Sequence, residues 1–398
     1  MMLRHLFKLI WKRKTRNAML SLEILLAFLV VFAIAAFAVR SYQLYQLPIG
    51  FAWNNQWAVN IRTAQDLASD PALYAQMRRD LLELPEVETV AFSAFPVYEM
   101  SRWSGDYALP DRSHRVRVDG MEVSDDFFAT MEMRLAEGRW FSGIDDGDSA
   151  IPAVINRRMA EQMFPGRSAI GQLYIDAEAK DHPKRYRVTG VIEQFRSHGE
   201  YMDPVPFMLP RFRAGISEHG LQTILLKLRP GTPRTFERTL NARLKQIHSD
   251  WSYTISPLSG ARHGMLKLQM MPLLILSVIA AFLLLMVAFG LFGVLWQNTT
   301  LRIPEIGLRR AIGADAGHIY RQIVSEQMLL SSGAMALGML LLVQLPLTGA
   351  LGESLNWPVF LTAAALSAGV IYLLSLLCSL YPGWRAARLS PTEALHYE

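Results

Sequence analysis

The stretch LLILSVIAAFLLLMVAFGLFGVLW, residues 273–296, contains no charged side chain and is long enough to cross a lipid bilayer as a helix. A crossing needs about 20 predominantly apolar residues. Three further stretches meet this requirement, at residues 19–39, 323–347 and 358–380. The sequence therefore predicts a membrane protein with four transmembrane α-helices, one before and three after a large segment at residues 40–271.

The first apolar stretch also has features of a secretory signal peptide. A basic start precedes it, and Ala36, Phe37 and Ala38 imitate a cleavage site. Its apolar run is longer than the roughly 7 to 15 residues of a signal-peptide core. We therefore expect a retained transmembrane helix at residues 19–39.

Basic residues are concentrated in the short segments outside the apolar stretches. The N-terminal segment 1–18, the segment 298–322 and the tail 381–398 are rich in Lys and Arg, whereas TGALGESLNW, residues 348–357, has neither. Lys and Arg in short loops mark the cytoplasmic side of a membrane. Both termini are therefore predicted to be cytoplasmic, and residues 40–271 are predicted to lie on the opposite side. This basic pattern is typical of a membrane anchor, and it does not favour nucleic-acid binding, which needs a basic patch on a folded face.

The large segment has the pattern of a mixed α/β domain. QWAVNI (56–61) alternates like a strand, a helical pattern follows, and TVAFSAF (89–95) is a second predicted strand. The same order recurs near the end, with strands predicted in LQTILLKLRP (221–230) and WSYTISPL (251–258) around a helix. We expect both ends of the segment to form one subdomain and the middle to form a second. Stalk helices are expected to flank the domain.

Known catalytic and metal-binding patterns are missing from the sequence. The histidines show no HExxH spacing, the single cysteine excludes an intrachain disulfide and a cysteine-based metal site, and no GxSxG motif occurs. Asp145, Asp146 and Asp148 lack the ligand order of an EF-hand, so a solvated turn is favoured over a calcium site. No GxxxxGK[ST] motif occurs, and the chain is therefore predicted to lack its own ATPase site.

One carboxylate and several small residues occur within the predicted spans. Glu23 is interpreted as an interfacial carboxylate near the basic N-terminal segment, with an intramembrane functional acid as the alternative. Gly290 and Gly293 are close enough in sequence to let helices approach one another. No span carries a series of charged residues of the kind that forms a hydrophilic conduit.

The segment 298–322 predicts a short amphipathic helix along the membrane surface. Pro304 suits the first turn of a helix, and Glu305 and Arg309 are spaced to pair on one face. Gly313 predicts the end of this helix, and Asp315 predicts the cap of the next one. The helix is interpreted either as an interfacial anchor or as a docking ridge for a cytoplasmic partner.

Several of these segments together resemble one family of membrane proteins. EIGLRRAIGA (305–314), IYRQIVSEQMLL (319–330) and YPGWRAARLSPTEAL (381–395) are similar to the permease subunits of MacB-like and FtsX-like ABC transporters. Within the large segment, VDGMEVSDDFFATMEMRLAEGRWFS (118–142) and YRVTGVIEQF (186–195) resemble the MacB-type periplasmic core domain of that family. The landmarks occur in the order that the family shows and cover most of the chain.

The resemblance implies a domain plan and a set of functional residues. The periplasmic core domain would comprise a porter-like part at residues 42–109 and 204–258 and a Sabre-like part at residues 110–203. A cytoplasmic coupling helix would dock on a separate ATP-binding subunit. Its predicted contact residues are Glu305, Ile306, Gly307, Leu308, Arg309, Arg310, Ala311, Ile312, Gly313 and Ala314. Within that set, Arg309 and Arg310 are expected to pair with acidic residues of the partner, and Leu308 and Ile312 are expected to make the apolar contact.

The resemblance also implies partners and a cellular location. The chain would be a multi-pass protein of the bacterial inner membrane, in contact with membrane lipid, and would work beside a second permease copy or a related permease. ATP and Mg would be bound by the partner ATPase, with no cofactor or metal in this chain. A periplasmic adaptor and an outer-membrane channel are further implied partners, while nucleic acid is not one.

The predicted function is that of a permease subunit in an ABC transporter of the mechanotransmission type, which exports or extracts a substrate. An FtsX-like regulatory protein that controls a periplasmic partner is the alternative. A membrane-bound enzyme with its active site in the large domain is disfavoured, because the catalytic patterns are missing.

Overall fold

A computed structural model describes residues 14–65, 67, 70–179, 183–213, 217 and 220–388. Parts of the predicted N-terminal segment 1–18 and tail 381–398 therefore lie outside the described residues. The chain divides into two compact units, between Gln43 and Leu44 and again between Gln269 and Met270. The unit at residues 44–269 is named the insert domain, and the other is named the helical unit.

The described helices and strands follow in chain order. They are α1 (Lys14–Gln46), β1 (Gln56–Arg62), α2 (Pro71–Leu82), β2 (Val87–Ser93), β3 (Trp103–Ala108), β4 (Arg115–Gly120), α3 (Phe127–Thr130), β5 (Leu135–Gly138), β6 (Ile151–Asn156), α4 (Arg157–Met163), β7 (Leu173–Asp176), β8 (Arg185–Ile192), β9 (Phe207–Pro210), β10 (Thr223–Leu228), α5 (Phe236–Ile247), β11 (Ser252–Pro257), α6 (Leu258–Thr300), α7 (Ile303–Ala311), α8 (Ala316–Leu342), α9 (Gln344–Thr348) and α10 (Trp357–Arg388).

The first sheet of the insert domain joins the two ends of the segment. Its strand order is β11-β1-β10-β2, and all neighbouring strands are antiparallel. Strand β10 lies between β1 and β2, which is the arrangement of a split β-α-β fold. The prediction that both strand-helix-strand patterns build one subdomain is therefore confirmed.

Helices α2 and α5 cover one face of this sheet. Met77 of α2 and Leu240 of α5 are fully buried against strand residues such as Val59 and Ile224. Asp70 begins α2, because its side chain accepts hydrogen bonds from two backbone N–H groups of the first turn. Apolar residues at helical and strand spacing thus meet in one core, as the sequence pattern predicts.

The second sheet has seven strands in the order β5-β8-β6-β9-β4-β3-β7, and β7 also pairs with β8. Six of these strands therefore close into a ring. The predicted porter-like part comprises residues 42–109 and 204–258, and the predicted Sabre-like part comprises residues 110–203. This division assigns β3 and β9 to the porter-like part. The structure places both strands in the second sheet, because β3 pairs with β4 and β7, and β9 pairs with β4 and β6.

Three tyrosines fill the interior of the ring. The rings of Tyr174 and Tyr186 stack with centroids 5.2 Å apart, and Tyr107 contacts both of them edge-on. Burial raises the pKa of Tyr174 well above its ordinary value, so this phenol stays neutral. The contacts give the second sheet a core of its own.

A buried arginine organises the part of the insert domain next to the stalk segments, 44–47 and 258–269. Arg196 is only 1% exposed. Its guanidinium donates hydrogen bonds of 2.5 to 3.2 Å to five backbone carbonyl oxygens, those of Leu44, Leu47, Pro48, Glu200 and Met202. Helix α1 ends at Gln46, and this side chain donates to the carbonyl of Leu44 in its last turn, which also accepts from the Leu47 N–H, and to those of Leu47 and Pro48 just after it.

The second stalk segment is held at the same place. Arg262, near the start of α6, forms an ion pair with the buried Glu200 and lies 4.4 Å from the centroid of the Trp53 ring. Burial, followed by the charge of Glu200, raises the pKa of the nearby Tyr98 well above its ordinary range. The set Arg196, Glu200 and Arg262 is named the stalk cluster.

Gly50 permits a close approach of two backbone segments beside the stalk cluster. Its φ angle is +94°, in the left-handed region that favours glycine. A Cβ atom at this position would lie 1.9 Å from the carbonyl oxygen of Gln194. Glycine is therefore required here for both conformational and steric reasons.

The acidic loop at residues 145–148 is held by arginines. Asp145 forms an ion pair with Arg139 at 2.5 Å, Asp146 pairs with Arg211 at 2.6 Å, and Asp148 pairs with Arg187 at 3.0 Å. The first of these pairs lowers the pKa of Asp145 to about 2. The loop was predicted to be a solvated turn, and the prediction was wrong in that each carboxylate has a specific cationic partner.

Four helices of the structure are long and apolar enough to cross a membrane. They cover Ala18–Gln46, Leu258–Thr300, Ala316–Thr348 and Trp357–Arg388. Leu20, Ile24 and Phe28 of α1 are buried among residues of the other three helices. The predicted fold class, four transmembrane helices with a mixed α/β domain between the first and the second, is confirmed.

Two glycines of the helical unit lie directly against side chains of α1. A Cβ atom at Gly338 would meet the Phe28 ring at 2.7 Å, and one at Gly290 would meet Oε1 of Glu23 at 2.3 Å. Glu23 therefore faces α6 and packs on its backbone, so the favoured interpretation as a merely interfacial carboxylate is incomplete. A Cβ atom at Gly293 would meet nothing within 4 Å, and only Gly290 of that predicted pair serves close packing.

Candidate functional site

Helix α7 is the short amphipathic helix that the sequence predicts between the second and third spans. It begins at Ile303 and ends at Ala311, which places Pro304 in its first turn. Glu305 and Arg309 are four residues apart, and Oε1 of the former lies 2.6 Å from Nη2 of the latter. The predicted helix and its intrahelical ion pair are both present.

The end of α7 and the beginning of α8 follow from the residues in the connection. Gly313 has a φ angle of +100°, and the N–H of Ala314 donates to the carbonyl of Arg309 at 3.0 Å. A glycine in this conformation with such a returning hydrogen bond is a common helix C-terminus. The Asp315 side chain then accepts from the N–H of Gly317 at 3.1 Å and caps α8, as predicted.

The inner face of α7 is apolar and buried. Ile306 packs with Ile319 and Ile323 of α8 and with Ala386 of α10. Gly307, the next residue, is also buried. This contact packs α7 against the ends of α8 and α10. The inner face of α7 is therefore not available to a partner protein.

A chain of polar contacts fixes α7 further. Arg302, just before α7, forms an ion pair with Glu326 of α8 at 2.7 Å, and Gln322 donates to that glutamate at 3.0 Å. Arg309 donates to Oε1 of Gln322 at 3.1 Å as well as to Glu305. These five residues are named the α7 network. They extend from one end of α7 to the other along α8.

The outer face of α7 is apolar and exposed. The side chain of Leu308 is 57% exposed and that of Ile312 is 79% exposed, and Ala311 is exposed as well. The opposite face of α7 makes the buried contact with α8 and α10. Leu308 and Ile312 therefore do not contribute to packing α7 against these helices. An exposed apolar patch rimmed by polar residues is typical of an interaction site.

The structure divides the ten predicted contact residues into two groups. Ile306 and Gly307 are buried, and Arg309 is occupied by partners within the chain. The side chain of Arg310 lies outside the described part of the structure. The residues left accessible to a partner are Glu305, Leu308, Ala311, Ile312 and Gly313, with Ala314 half-buried.

The contacts of Arg302, Gln322 and Glu326 with one another were not predicted from the sequence. Gln322 and Glu326 are four residues apart in a predicted helix, which is the spacing of side chains that contact one another. That signal was available in the sequence. The pairing of Arg302 with Glu326 depends on how α7 folds back on α8, and no local pattern indicates it.

Metal binding has no support in the described residues. Among the residues of the described ranges, no group of three or more His, Cys, Asp or Glu side chains is placed to hold a metal ion. In the acidic loop each carboxylate is instead engaged by an arginine.

Two family models match the chain in the order that the structure shows. The model of the MacB-like periplasmic core domain matches residues 18–242, and the model of the FtsX-like permease C-terminal region matches residues 277–391. The chain is a MacB/FtsX-like ABC transporter permease. The second match includes the whole of α7, so the candidate site belongs to the FtsX-like part of the permease.

Relatives of this MacB/FtsX-like permease differ in how much of their length it covers. It is 26% identical over 69% of its own length to the macrolide export ATP-binding/permease protein MacB 2 of Aeromonas hydrophila, of which it spans 43%. It is 22% identical over 97% of its length to an ABC transporter permease, YknZ, of Bacillus subtilis, of which it spans 96%. The chain thus spans less than half of the first relative and nearly all of the second.

Solved structures of periplasmic regions are also similar to the permease. The crystal structure of the periplasmic region of MacB from Actinobacillus actinomycetemcomitans aligns with a TM-score of 0.40 and 13% sequence identity. The alignment covers 56% of this chain and 97% of that one. The extracellular domain of the transporter YknZ from Gram-positive bacteria aligns with a TM-score of 0.34 over 50% of this chain.

Proposed function

We propose that this chain is the permease subunit of an ABC transporter of the mechanotransmission type. A separate ATP-binding subunit docks on α7, hydrolyses ATP with its own Mg, and moves the permease so that the insert domain exports or extracts a substrate. Family membership supports the transporter class, and the sequence has no GxxxxGK[ST] phosphate-binding motif of its own.

The observation that carries this proposal is the exposed apolar face of α7. Leu308 and Ile312 are exposed on a helix whose opposite face is buried and whose Glu305 and Arg309 side chains are engaged within the chain. A pair of apolar side chains surrounded by polar residues is the composition of a small docking contact. The apolar pair supplies the docking contact, and the α7 network holds it in position.

This assignment differs from the sequence prediction for Arg309. That arginine was expected to pair with acidic residues of the ATP-binding subunit. Its guanidinium instead donates to Glu305 and Gln322, so it stabilises α7 from within. Pairing with the partner would require these two contacts to break. Arg309 is therefore proposed to position the helix, and the apolar residues are proposed to bind.

The proposal includes a placement in the cell. Both termini and α7 are cytoplasmic, the insert domain is periplasmic, and the membrane is the bacterial inner membrane, consistent with the distribution of Lys and Arg in the short segments. Two permease copies, or this chain and a related permease, work with two ATP-binding subunits. A periplasmic adaptor and an outer-membrane channel are further proposed partners.

The experiment that tests the proposal is purification of the tagged full chain in a gentle detergent. Mass spectrometry identifies the proteins that accompany it, and ATP turnover is measured on the eluate. The expected result is a protein with a GxxxxGK[ST] motif, together with ATPase activity that a mutation of that protein's motif lysine abolishes. A folded sample without such a protein would instead support the regulatory alternative.

A further inference from the structure

Aromatic and arginine side chains alternate where α6 and α10 both end. The rings of Trp296 and Tyr381 stack at 5.8 Å with an angle of 7° between them, and Phe292 stacks on the Trp296 ring at 6.2 Å. Trp384 continues the row, at 6.2 Å from Tyr381. Tyr381 and Trp384 are about half exposed. The row is therefore an exposed surface feature of the helical unit rather than part of its core.

Each of two arginines lies flat over an indole ring of this row. The guanidinium carbon of Arg385 is 4.3 Å from the centroid of the Trp296 ring, and that of Arg388 is 4.3 Å from the centroid of the Trp384 ring. Both side chains are exposed, and no ion pair to a carboxylate is found for either within the described ranges. Arg302 and Arg309, at the same end of the helices, have carboxylate partners. The two stacked arginines differ from them in that, among the residues the structure describes, their charge is not paired with a carboxylate.

Stacking prepares a guanidinium to bind an anion. The contact with the ring uses the flat face of the group and leaves the N–H donors at its edge free. These donors match the oxygen atoms of a phosphate in number and geometry. The stacked partner also restricts the long side chain in advance, so less conformational freedom is lost when the anion binds.

The position along the helix fits the headgroup region of a membrane. Tyr381 precedes the last described residue of α10 by seven positions, which is roughly 10 Å of helix. Tryptophan and tyrosine rings are favoured at this depth, and arginine side chains beside them reach the phosphate level. A favourable interaction with the helix dipole needs only a cation in the last turn, and it does not account for the row of rings.

We propose that Arg385 and Arg388, stacked on Trp296 and Trp384, bind the phosphate of an anionic phospholipid headgroup. The surface formed by these four residues is named the arginine ladder. The lipid stabilises the ends of α6 and α10 next to the base of α7. The inference rests on the chain being a membrane protein, and it does not depend on docking of an ATP-binding subunit.

The test measures lipid retained by the full chain after purification in detergent. The protein is equilibrated with equal amounts of phosphatidylglycerol and phosphatidylcholine, and native mass spectrometry counts each lipid bound. Arg385→Gln with Arg388→Gln is expected to lower retained phosphatidylglycerol by roughly tenfold or more, since each surface arginine adds about fivefold in affinity for an anionic surface. Phosphatidylcholine retention is expected to stay unchanged.

Arg321→Gln is the matched control for Arg385→Gln. Arg321 is exposed on the second turn of α8, at the same end of the helical unit, and its substitution removes the same charge. No ring contact is found for it within the described ranges, so its loss is expected to lower retained phosphatidylglycerol by no more than the roughly fivefold of an unstacked surface charge, and by less than Arg385→Gln does. Arg385→Lys with Arg388→Lys keeps the charge but loses the planar stacking, and it is expected to restore only part of the retention.

Three results would overturn the proposal. The first is equal loss in Arg321→Gln and Arg385→Gln, which would mean that overall charge alone attracts the lipid. The second is unchanged retention in the double glutamine variant with an unchanged melting temperature. The third is displacement of phosphatidylglycerol by inorganic phosphate, which would identify a site for a soluble anion rather than for a lipid.

Discussion

Two arginines, Arg196 in the insert domain and Arg309 in the helical unit, use the same functional group in opposite ways. Arg196 is 1% exposed and donates to five carbonyl oxygens, whereas the side chain of Arg309 is 40% exposed and donates to one carboxylate and one amide oxygen. The first contact set joins segments that are about 150 residues apart in sequence. The contacts of Arg309 are local in sequence. Glu305 is one helical turn away on α7, and Gln322 lies on α8, the next helix.

The difference shows where the chain uses polar contacts for folding and where it uses them for orientation. A buried guanidinium whose three nitrogens all donate to backbone carbonyls cannot be released without leaving several carbonyls unsatisfied. A half-exposed one can exchange its partners for water at little cost. The stalk cluster is therefore part of the folded core of the insert domain, while Arg309 of the α7 network positions a surface helix through contacts that water can replace.

The largest expected effect in this comparison comes from Arg196→Ala. The substitution removes the guanidinium donors of five carbonyl oxygens, of which that of Leu44 keeps the Leu47 N–H, and is expected to destabilise the insert domain by about 3 to 5 kcal/mol. Chemical unfolding of the full chain, followed by hydrogen exchange in residues 44–53, measures it. Arg238→Ala, an exposed residue on α5, is the control. A destabilisation by Arg196→Ala below about 1 kcal/mol would show that Arg196 is no more important for folding than a surface arginine.

A smaller effect is expected when the Arg302–Glu326 pair of the α7 network is broken. Both side chains are largely buried, at 17% and 14% exposure, so Arg302→Glu or Glu326→Arg alone is expected to weaken the packing of α7 on α8 by about 1 to 2 kcal/mol. Limited proteolysis at α7 measures this. Exchanging both charges in one variant is expected to restore most of the protection. A double variant no better than the singles would show that the pair does not hold α7.

The smallest effect concerns pH and the Asp145–Arg139 pair. The pKa of Asp145 is lowered from 3.8 to about 2 by the hydrogen bonds from Arg139, so the folded state favours the ionised carboxyl. The pair therefore stabilises the fold fully above the unfolded pKa, and this contribution is lost as the pH falls from about 4 to about 2. Its expected size is on the order of 1 kcal/mol, because Arg139 is half exposed.

Asp145→Asn isolates that contribution. The variant is expected to be less stable than the native chain at pH 6 and equally stable near pH 2, as followed by urea unfolding at each pH. Asp111→Asn is the comparison without an arginine partner: Asp111 is exposed, and the Ser113 hydroxyl and N–H lower its pKa, so a smaller pH-dependent difference is expected there. A constant difference between native chain and Asp145→Asn over this pH range would show that the carboxylate charge is not what stabilises the loop.

Local patterns in the sequence predicted the parts that depend on neighbours in the chain. The Glu305–Arg309 pair, the cap at Asp315 and the turn at Gly313 all follow from spacings of a few residues, and all are found. The joining of the two ends of the insert domain was predicted because both ends repeat one strand-helix-strand pattern, while the split β-α-β strand order was seen only in the structure. Four apolar stretches sufficed to predict the helical unit.

Contacts between distant segments were not predicted. The five carbonyls around Arg196 come from two loops far apart in sequence, and no periodicity indicates that an arginine lies between them. The assignment of β3 and β9 to the second sheet depends on strand pairing in the same way. The accessibility of Leu308 and Ile312 was implied by their predicted contact with a partner, and the structure adds that the opposite face of α7 is buried.

The central claim is that the exposed face of α7 docks an ATP-binding subunit. The most direct measurement is the ATP turnover of the purified complex with Leu308→Asp and Ile312→Asp combined, compared with the native chain and with Leu351→Asp, an exposed leucine in the loop after α9. The claim predicts a fall of more than tenfold in co-purified ATPase, with the melting temperature unchanged and with Leu351→Asp like the native chain. Undiminished recovery and turnover in the double variant would contradict it.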